Sequence, residues 1–287
     1  MSSLAKKVLY IDLSRQEFEV KSHPDMNEFI GGVGLGAKLA LDFGGDDFLI
    51  FSTGPLNGFF PFASKTSVLF RDGGKIQDTY LGGSLSTRLR FTGLDAIFIH
   101  GVAKEPMVLD IVDEKVSFKP VGEDVGSLGL PGKRSVLDLD ENRASLDAYF
   151  EGPNNILHKI LIQKNLKAMI ITGSKTFDIP DRERYEELYA KILARTEDLT
   201  VEKSGKPSCS GCPMGCLYSK TGELGGDILV HSLVACTFAE KIYSDTSMVF
   251  SCLNVLGYGY THEEIENFPK LVYDVLSKLD VGTTSHI

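Results

Sequence analysis

The distribution of cysteine along the chain is the feature that most limits its possible folds and chemistry. The first 208 residues contain none; then Cys209, Cys212 and Cys216 occur together, followed by Cys236 and Cys252. A Cys-x2-Cys-x3-Cys run with glycine and proline between the thiols lets several sulfurs converge on one centre. The run therefore indicates a metal site, a zinc ion or an iron–sulfur cube, with three unliganded thiols as the plainer alternative.

An iron–sulfur cube needs a fourth ligand besides the three clustered thiols. Cys236 and Cys252 are the available thiols, and His231 is a weaker choice. Cys252 lies in an apolar helical run, which favours a small core residue. In a reducing compartment, clustered cysteines are thiols, metal ligands or redox centres rather than structural disulfides.

Composition and charge exclude several classes of function. The chain has 287 residues, of which 43% are hydrophobic, enough for one large domain or two ordinary ones. Its formal net charge of -9 argues against a nucleic-acid binder and against attraction to anionic membranes. The start of the sequence has no apolar signal-peptide core, and no apolar run approaches the roughly 18 residues of a membrane span. We therefore expect a cytoplasmic protein that binds neither nucleic acid nor membrane.

Hydrophobic periodicity divides the chain into a β-rich part and a helical part. Strands are predicted at Lys7–Leu13, Glu17–Val20, Asp47–Thr53, Lys65–Phe70, Asp95–His100, Met107–Val112, Lys115–Pro120 and Lys167–Thr172. Beyond Pro180 the apolar spacing becomes helical, with Asp181 as an N-cap and a capping box at Thr261–Glu264. The pattern predicts an α+β protein, with a β-rich domain at residues 1–176 and a smaller helical, cysteine-bearing domain at residues 177–287.

Two glycine motifs are candidates for binding phosphate. The Gly31–Ala37 segment formally fits a relaxed dinucleotide fingerprint, but the buried strand before it and the acidic residue after it are missing. A turn that lets the backbone approach a neighbour is therefore the better interpretation. Gly82-Gly83 precedes a short predicted helix, whose N–H groups can hold a phosphate near Arg88 and Arg90. An ordinary tight turn with solvated arginines explains this second motif equally well.

Taken in order, six segments resemble the tungsten-dependent aldehyde ferredoxin oxidoreductase family: Gly31–Leu39, Leu49–Gly58, Gly82-Gly83, Leu89–Ile97, Lys164–Met169 and Cys209–Cys216. The resemblance implies that the N-terminal β-domain forms a base for a bis-pterin tungsten cofactor. It also implies that Cys209, Cys212 and Cys216 bind a [4Fe–4S] cluster, which passes electrons to ferredoxin or another redox protein. Cys236, nearer to the run in sequence, is our first choice for the fourth ligand, and Cys252 is the alternative.

The sequence also departs from the family pattern. Lys65 stands where the family has a pterin-contacting arginine, so that Lys65, Gly82 and Gly83 remain as the candidate cofactor contacts. A glycine-rich loop of the family is replaced by residues 154–160, which lack its arginine and carry bulkier side chains. Losing this arginine removes a strong phosphate donor, and losing the glycines blocks close backbone approach. These changes argue against tungstopterin catalysis by this chain alone and leave pterin binding open.

Two kinds of function follow as hypotheses. In the first, the chain is an oxidoreductase-family protein whose [4Fe–4S] cluster transfers electrons; if it is an aldehyde ferredoxin oxidoreductase-type enzyme, it needs a partner chain. In the second, it is a non-catalytic scaffold or subunit that has lost its cofactor or holds a structural zinc ion. Its open face would then bind a second copy, giving a homo-oligomer, or a subunit that supplies the missing half. The sequence names no substrate.

Overall fold

The computed structural model describes residues 5–122 and 124–281, which form two β-sheets and a group of helices. The strands are β1 (Lys6–Asp12), β2 (Glu17–His23), β3 (Phe48–Ser52), β4 (Thr66–Asp72), β5 (Lys75–Leu81), β6 (Ala96–His100), β7 (Met107–Val112), β8 (Lys115–Pro120), β9 (Arg134–Leu139), β10 (Ala144–Leu146) and β11 (Leu166–Thr172). The α-helices are α1 (Gly32–Leu39), α2 (Leu85–Phe91), α3 (Ile156–Gln163), α4 (Arg182–Leu193), α5 (Ile228–Ser232), α6 (Glu240–Tyr243), α7 (Thr246–Val255) and α8 (His262–Val281).

The two sheets pack face to face around a shared core. The first has the order β2-β1-β6-β3-β4-β5 and the second β10-β9-β11-β7-β8, each with one parallel pair, β1–β6 and β7–β11. Successive side chains of a strand face opposite sides, so Leu9 and Ile11 enter the core between the sheets. Val8 and Tyr10 pack on the other face, under α1 and α8. This arrangement confirms the predicted α+β class.

Glycines let α1 lie close to the helices that cover it. A Cβ on Gly32 would lie 2.2 Å from the carbonyl oxygen of His231, and one on Gly34 would lie 2.6 Å from Cζ of Phe268. Both distances are too short for a side chain, so only glycine permits this approach. The glycine motif thus allows close backbone approach, as the sequence indicated, but within helix α1 rather than in a turn.

The predicted domain boundary near residue 176 falls between β11 and α4. The cysteine segment follows α4 and crosses back to the first sheet, where Glu223 pairs with Tyr80 of the edge strand β5. Apolar residues from both halves also share one core, as Phe60 and Ile242 do. The division into two folding units at residues 1–176 and 177–287 therefore stays a prediction.

Three strands and one helix were missing from the sequence-based assignment: β5, β9, β10 and α3. β5 and β10 are edge strands, and the first half of β5 is exposed or half-buried. An edge strand without a continuous apolar face gives little periodic signal. Within the described part of the chain, no helix combines the length and apolar character needed to cross a membrane.

The capping box at the start of α8 gives a testable stability effect. The Thr261 hydroxyl accepts a hydrogen bond from the Glu264 amide at 3.2 Å, and the Thr261 amide donates to the Glu264 carboxylate at 2.7 Å. Because Thr261→Ala removes the first of these bonds, we expect it to lower the unfolding free energy by about 1 kcal/mol. Urea titration followed by circular dichroism measures this loss.

Ser277→Ala is the matched control, since Ser277 is exposed within the same helix. Its effect should stay within about 0.5 kcal/mol. Equal effects of the two substitutions would show that the cap contributes nothing specific.

Candidate functional site

Lys65 lies at the centre of a buried polar cluster between the first sheet and the cysteine segment. Its side chain is only 2% exposed, and Nζ lies 2.8 Å from Oε1 of Glu223, whose side chain is 6% exposed. A buried ammonium group without a partner would be strongly unfavourable, so the pairing is a requirement of the fold.

The carboxylate of Glu223 is satisfied on both oxygens. Oε1 accepts a hydrogen bond from the Cys236 thiol at 3.0 Å. Oε2 accepts hydrogen bonds from the Thr237 amide at 3.0 Å and from the Thr237 hydroxyl at 2.8 Å. The backbone of Glu223 is fixed by two hydrogen bonds to Tyr80, of 2.9 and 3.0 Å. The His231 ring stacks on Tyr80 with centroids 3.6 Å apart.

Mutual stabilisation keeps both members of the pair charged. Burial lowers the pKa of Lys65, but the charges of Glu223, Cys236 and Cys209 outweigh it, so the pKa lies above its ordinary value. Burial raises the pKa of Glu223, but the charge of Lys65, the nearby His231 ring and the hydrogen bond from Cys236 outweigh it, so that pKa lies below its ordinary value. The pair is therefore an ammonium–carboxylate pair over a wide range of pH.

The cysteine run lies against the Gly82-Gly83 turn. The Ser210 amide donates to the Gly83 carbonyl at 2.9 Å, and the Cys212 amide donates to the Cys209 carbonyl at 3.0 Å. A Cβ on Gly82 would lie 2.6 Å from Sγ of Cys209, so this sulfur occupies space that only glycine leaves free. The structure thus brings together Lys65, the two glycines and the start of the cysteine run.

The three thiols of the run are close enough to influence one another. The pKa of Cys212 is raised to about 11, mainly by burial; a backbone hydrogen bond from Met214 and the charge of Lys65 oppose this rise, and Cys209 and Cys216 add to it. Within the described ranges, no three His, Cys, Asp or Glu side chains have the arrangement of a metal site. The donor type fits an iron–sulfur cluster nevertheless, because the run offers two buried thiols and one half-buried thiol within a single loop, and such a cluster takes deprotonated sulfurs as ligands.

The other predicted ligands occupy different surroundings. Cys236 is held by Glu223, and burial is the main reason that the pKa of its thiol lies well above the ordinary value. His231 lies beside the same carboxylate, with Nε2 at 3.0 Å from the Thr237 hydroxyl. Cys252 is fully buried in the helical core, where burial raises the pKa of its thiol to about 12. Cys236 and His231 thus border the Lys65 cluster, and Cys252 is a core residue, as the sequence indicated.

The turn at Gly82-Gly83 also carries a carboxylate. The amide of Ser84, the first N–H after the two glycines, donates to Oδ2 of Asp147 at 2.8 Å. Of the two arginines predicted nearby, Arg88 donates to the Gly132 carbonyl at 2.7 Å, and Arg90 lies 3.4 Å from Asp95. Neither arginine is paired with a group of the turn.

These surroundings do not fit a phosphate-bearing pterin cofactor. The Lys65 ammonium group is paired with the Glu223 carboxylate. The first amide after the glycines, that of Ser84, is hydrogen-bonded to the Asp147 carboxylate. A phosphate needs positive charge or free N–H donors, whereas both positions present a carboxylate. No chemical step is therefore assigned to a pterin at Lys65, Gly82 and Gly83.

Packing at Gly82 gives a second testable effect. In Gly82→Ala the new methyl group would lie 2.6 Å from Cys209 Sγ and 2.9 Å from the Ser219 carbonyl oxygen. We expect a loss of about 1–3 kcal/mol in unfolding free energy, because the cysteine run must move away from the turn. Gly259→Ala is the control, since nothing lies within 4 Å of its added Cβ. Equal urea midpoints for the two variants would contradict close packing at Gly82.

Glu223 and Asp147 are the site residues that sequence reasoning missed. Glu223 lies within a glycine-rich segment, Gly222 to Gly226, and has no motif of its own. One signal was present: a lysine placed in an apolar strand start, as Lys65 is, requires a buried acidic partner. The sequence cannot say which of its 39 acidic residues provides it.

Much of the chain is similar to known proteins. Residues 8–136 match the family model "Aldehyde ferredoxin oxidoreductase, N-terminal domain". The "Aliphatic sulfonate oxidoreductase, WOR-like subunit" of Pyrococcus furiosus is 22% identical over 92% of this chain and 51% of its own length. The "Tungsten-containing aldehyde ferredoxin oxidoreductase" of Pyrococcus abyssi is 25% identical over 58% of this chain and 31% of its own. This chain thus covers between about a third and a half of these relatives.

A solved structure has the same fold. It is titled "Active site complex BamBC of Benzoyl Coenzyme A reductase in complex with 1,5 Dienoyl-CoA", and its TM-score is 0.59 at 16% sequence identity. The match covers 96% of this chain and 60% of that one. The resemblance predicted from the sequence is confirmed by these matches: residues 8–136 match the N-terminal domain of the aldehyde ferredoxin oxidoreductases, and the chain is similar to members of that family at low identity.

Proposed function

We propose that this chain is an electron-transfer subunit of a larger oxidoreductase. In this proposal Cys209, Cys212 and Cys216 bind a [4Fe–4S] cluster, which exchanges electrons with ferredoxin or another redox protein. The observation that carries the proposal is the place of the cysteines in the fold. Cys209 packs against Gly82, and Cys236, which is hydrogen-bonded to Glu223, lies beside the buried Lys65 ammonium group.

The buried ammonium group suits a cluster chemically. A cluster held by four thiolates carries net negative charge, and its reduction adds one more. Lys65 supplies a fixed positive charge in surroundings where water screens it little. Glu223 offsets part of this charge, so the pair as a whole would set the reduction potential without any proton transfer.

For the fourth ligand we propose Cys236, with Cys252 as the alternative. Cys236 is supported by its place beside Lys65, because its thiol and the Lys65 ammonium group contact the same carboxylate oxygen of Glu223. On binding, the Cys236 thiol would lose its proton and its hydrogen bond to Glu223. Cys252 has the weaker support because it is fully buried within α7.

A partner surface beside the cysteine run supports an assembly. Leu217, Tyr218 and Leu224 are 66%, 54% and 58% exposed, and all three lie in the segment that carries the run. Neighbouring exposed apolar side chains are typical of contact sites with other proteins. The relatives named above include a subunit and a member of a two-component complex, which supports a partner chain for this protein too.

The competing proposal is a cofactor-free scaffold or a structural zinc protein. It is favoured by the Cys236 thiol, which is protonated and bonded to Glu223 rather than poised toward the other sulfurs. Metal and sulfide analysis of anaerobically purified protein separates these functions. We expect about four iron and four sulfide per chain. One zinc without sulfide, or no metal with a stable oligomer in size-exclusion chromatography, would instead support the competing proposal.

A further inference from the structure

Two carboxylates of this chain occupy the positions at which a phosphate-bearing ligand would bind. Glu223 pairs with Lys65 at 2.8 Å, and Asp147 accepts the Ser84 amide at 2.8 Å, next to Gly83. The two carboxylates come from distant parts of the sequence, so the two pairings form independently of each other.

The Glu223 carboxylate fills a cradle of donors. Around it lie the Lys65 ammonium group, the amide and hydroxyl of Thr237, and the Cys236 thiol, all within 3.0 Å of a carboxylate oxygen. The backbone of Glu223 is held to β5 by its pairing with Tyr80, and the Thr79 hydroxyl donates to the Glu223 carbonyl at 3.0 Å. A competing anion would have to leave a buried carboxylate unpaired, which is strongly unfavourable.

Asp147 closes the second position in the same way. Its Oδ1 accepts the Ser135 hydroxyl at 3.0 Å and the Val136 amide at 3.1 Å, while Oδ2 accepts Ser84. The space over Gly83 is also filled, because a Cβ there would lie 2.7 Å from Cδ2 of Leu146. The Ser84 amide is therefore not free to bind a phosphate.

We infer that Glu223 and Asp147 are built-in anions. Glu223 fills the cradle around Lys65 and Asp147 takes the Ser84 amide, so neither position is open to a phosphate-bearing pterin. The Lys65 cradle itself remains competent and takes a small free anion once the Glu223 side chain is removed. This inference concerns the chain with or without an iron–sulfur cluster and does not depend on the proposed electron transfer.

Pterin content of the wild-type protein tests the closure directly. The full chain is produced in a host that makes molybdopterin, with tungstate in the medium, and the purified protein is oxidised and assayed for pterin fluorescence. We expect no pterin above that of an unrelated protein purified in parallel. Pterin in stoichiometric amount would overturn the inference.

Anion rescue tests the cradle. In Glu223→Ala the side chain that pairs with Lys65 is gone, and formate can occupy its place. We expect formate to raise the unfolding midpoint of Glu223→Ala in a saturable manner, relative to chloride at equal ionic strength. The wild type and Glu223→Gln, whose neutral side chain still fills the space, should show no such rise. The Lys65→Met/Glu223→Ala double variant should likewise show no formate-dependent rise of the unfolding midpoint.

Inorganic phosphate is tested on the same four proteins, to distinguish a cradle for small carboxylates from one that also admits phosphate. A rise of the unfolding midpoint of Glu223→Ala with either anion supports the cradle. Failure of both anions to stabilise Glu223→Ala, or to support its folding, would contradict it. The pterin assay uses the wild type alone, so it tests the closure even if no variant folds.

Discussion

Replacing Lys65 with methionine is expected to destabilise the protein by about 3–5 kcal/mol, because it leaves the buried Glu223 carboxylate without its cation. The side chains of both residues are nearly inaccessible, at 2% and 6% exposure, so water cannot take the place of the lost ammonium group. Urea unfolding at neutral pH, followed by circular dichroism, measures the change. This is the largest stability effect that we expect from a single substitution in the chain.

A double-variant cycle isolates the interaction. Lys65→Met/Glu223→Gln removes both charges and keeps an acceptor for Thr237, so it should be less destabilised than Lys65→Met alone. Lys159→Met is the surface control, since Lys159 is about half exposed in its pair with Asp72. Its effect should remain below about 1 kcal/mol. A double variant that loses as much as the two single variants together would show that the charges are not coupled.

The stability contributed by the pair has a defined dependence on pH. The pKa of Glu223 is depressed, so its contribution is complete above its ordinary value of 4.5 and is lost as the pH falls through the folded-state value. The pKa of Lys65 is raised, so its contribution is complete below its ordinary value of 10.5 and is lost at higher pH. We therefore expect the unfolding free energy of the wild type, relative to the double variant, to be flat near neutral pH and to decline below pH 4.5. An increase on acidification would contradict the ion pair.

Serine substitution of the clustered cysteines is expected to have the largest effect on metal content. Cys209→Ser, Cys212→Ser and Cys216→Ser each remove one thiolate from the proposed cluster, and iron should fall from about four to below about one per chain. Cys252→Ala is the comparison: it should leave the iron content unchanged if Cys236 is the fourth ligand, because Cys252 lies in the helical core. Iron and sulfide are measured on anaerobically purified proteins that retain the wild-type circular dichroism spectrum.

The Cys236 position separates the two choices for the fourth ligand. If Cys236 is the ligand, Cys236→Ala should change the type or occupancy of the cluster. A cluster of unchanged type and occupancy in that variant would exclude Cys236, and a loss of iron in Cys252→Ala would favour the alternative. Retention of iron in all three serine variants of the run would contradict the cluster proposal.

Local signals in the sequence were sufficient for much of the fold. The Thr261–Glu264 capping box forms as predicted, and Asp181 caps α4 by accepting the Arg184 amide at 3.1 Å. Strand β8 has the predicted bounds, Lys115–Pro120, because it pairs with its neighbour through a two-residue turn. Such features depend on residues close together in the chain, where periodicity and capping preferences act.

The site depends on contacts that no local pattern encodes. Lys65 and Glu223 lie far apart in the chain, and the sequence marks Lys65 by its place at an apolar strand start and its departure from a family position but gives no sign of its partner. The cysteine run was recognisable because its thiols lie within one loop, whereas the carboxylates that close the cradle come from unrelated segments. Pairing across the fold is decided by tertiary packing, which a single sequence does not display.

Low-temperature EPR spectroscopy of the dithionite-reduced, anaerobically purified protein is the decisive test of the proposed cluster. We expect the signal of a reduced [4Fe–4S] cluster, which disappears on reoxidation and is absent in Cys212→Ser. A protein that contains stoichiometric zinc, no sulfide and no EPR signal under these conditions would contradict it.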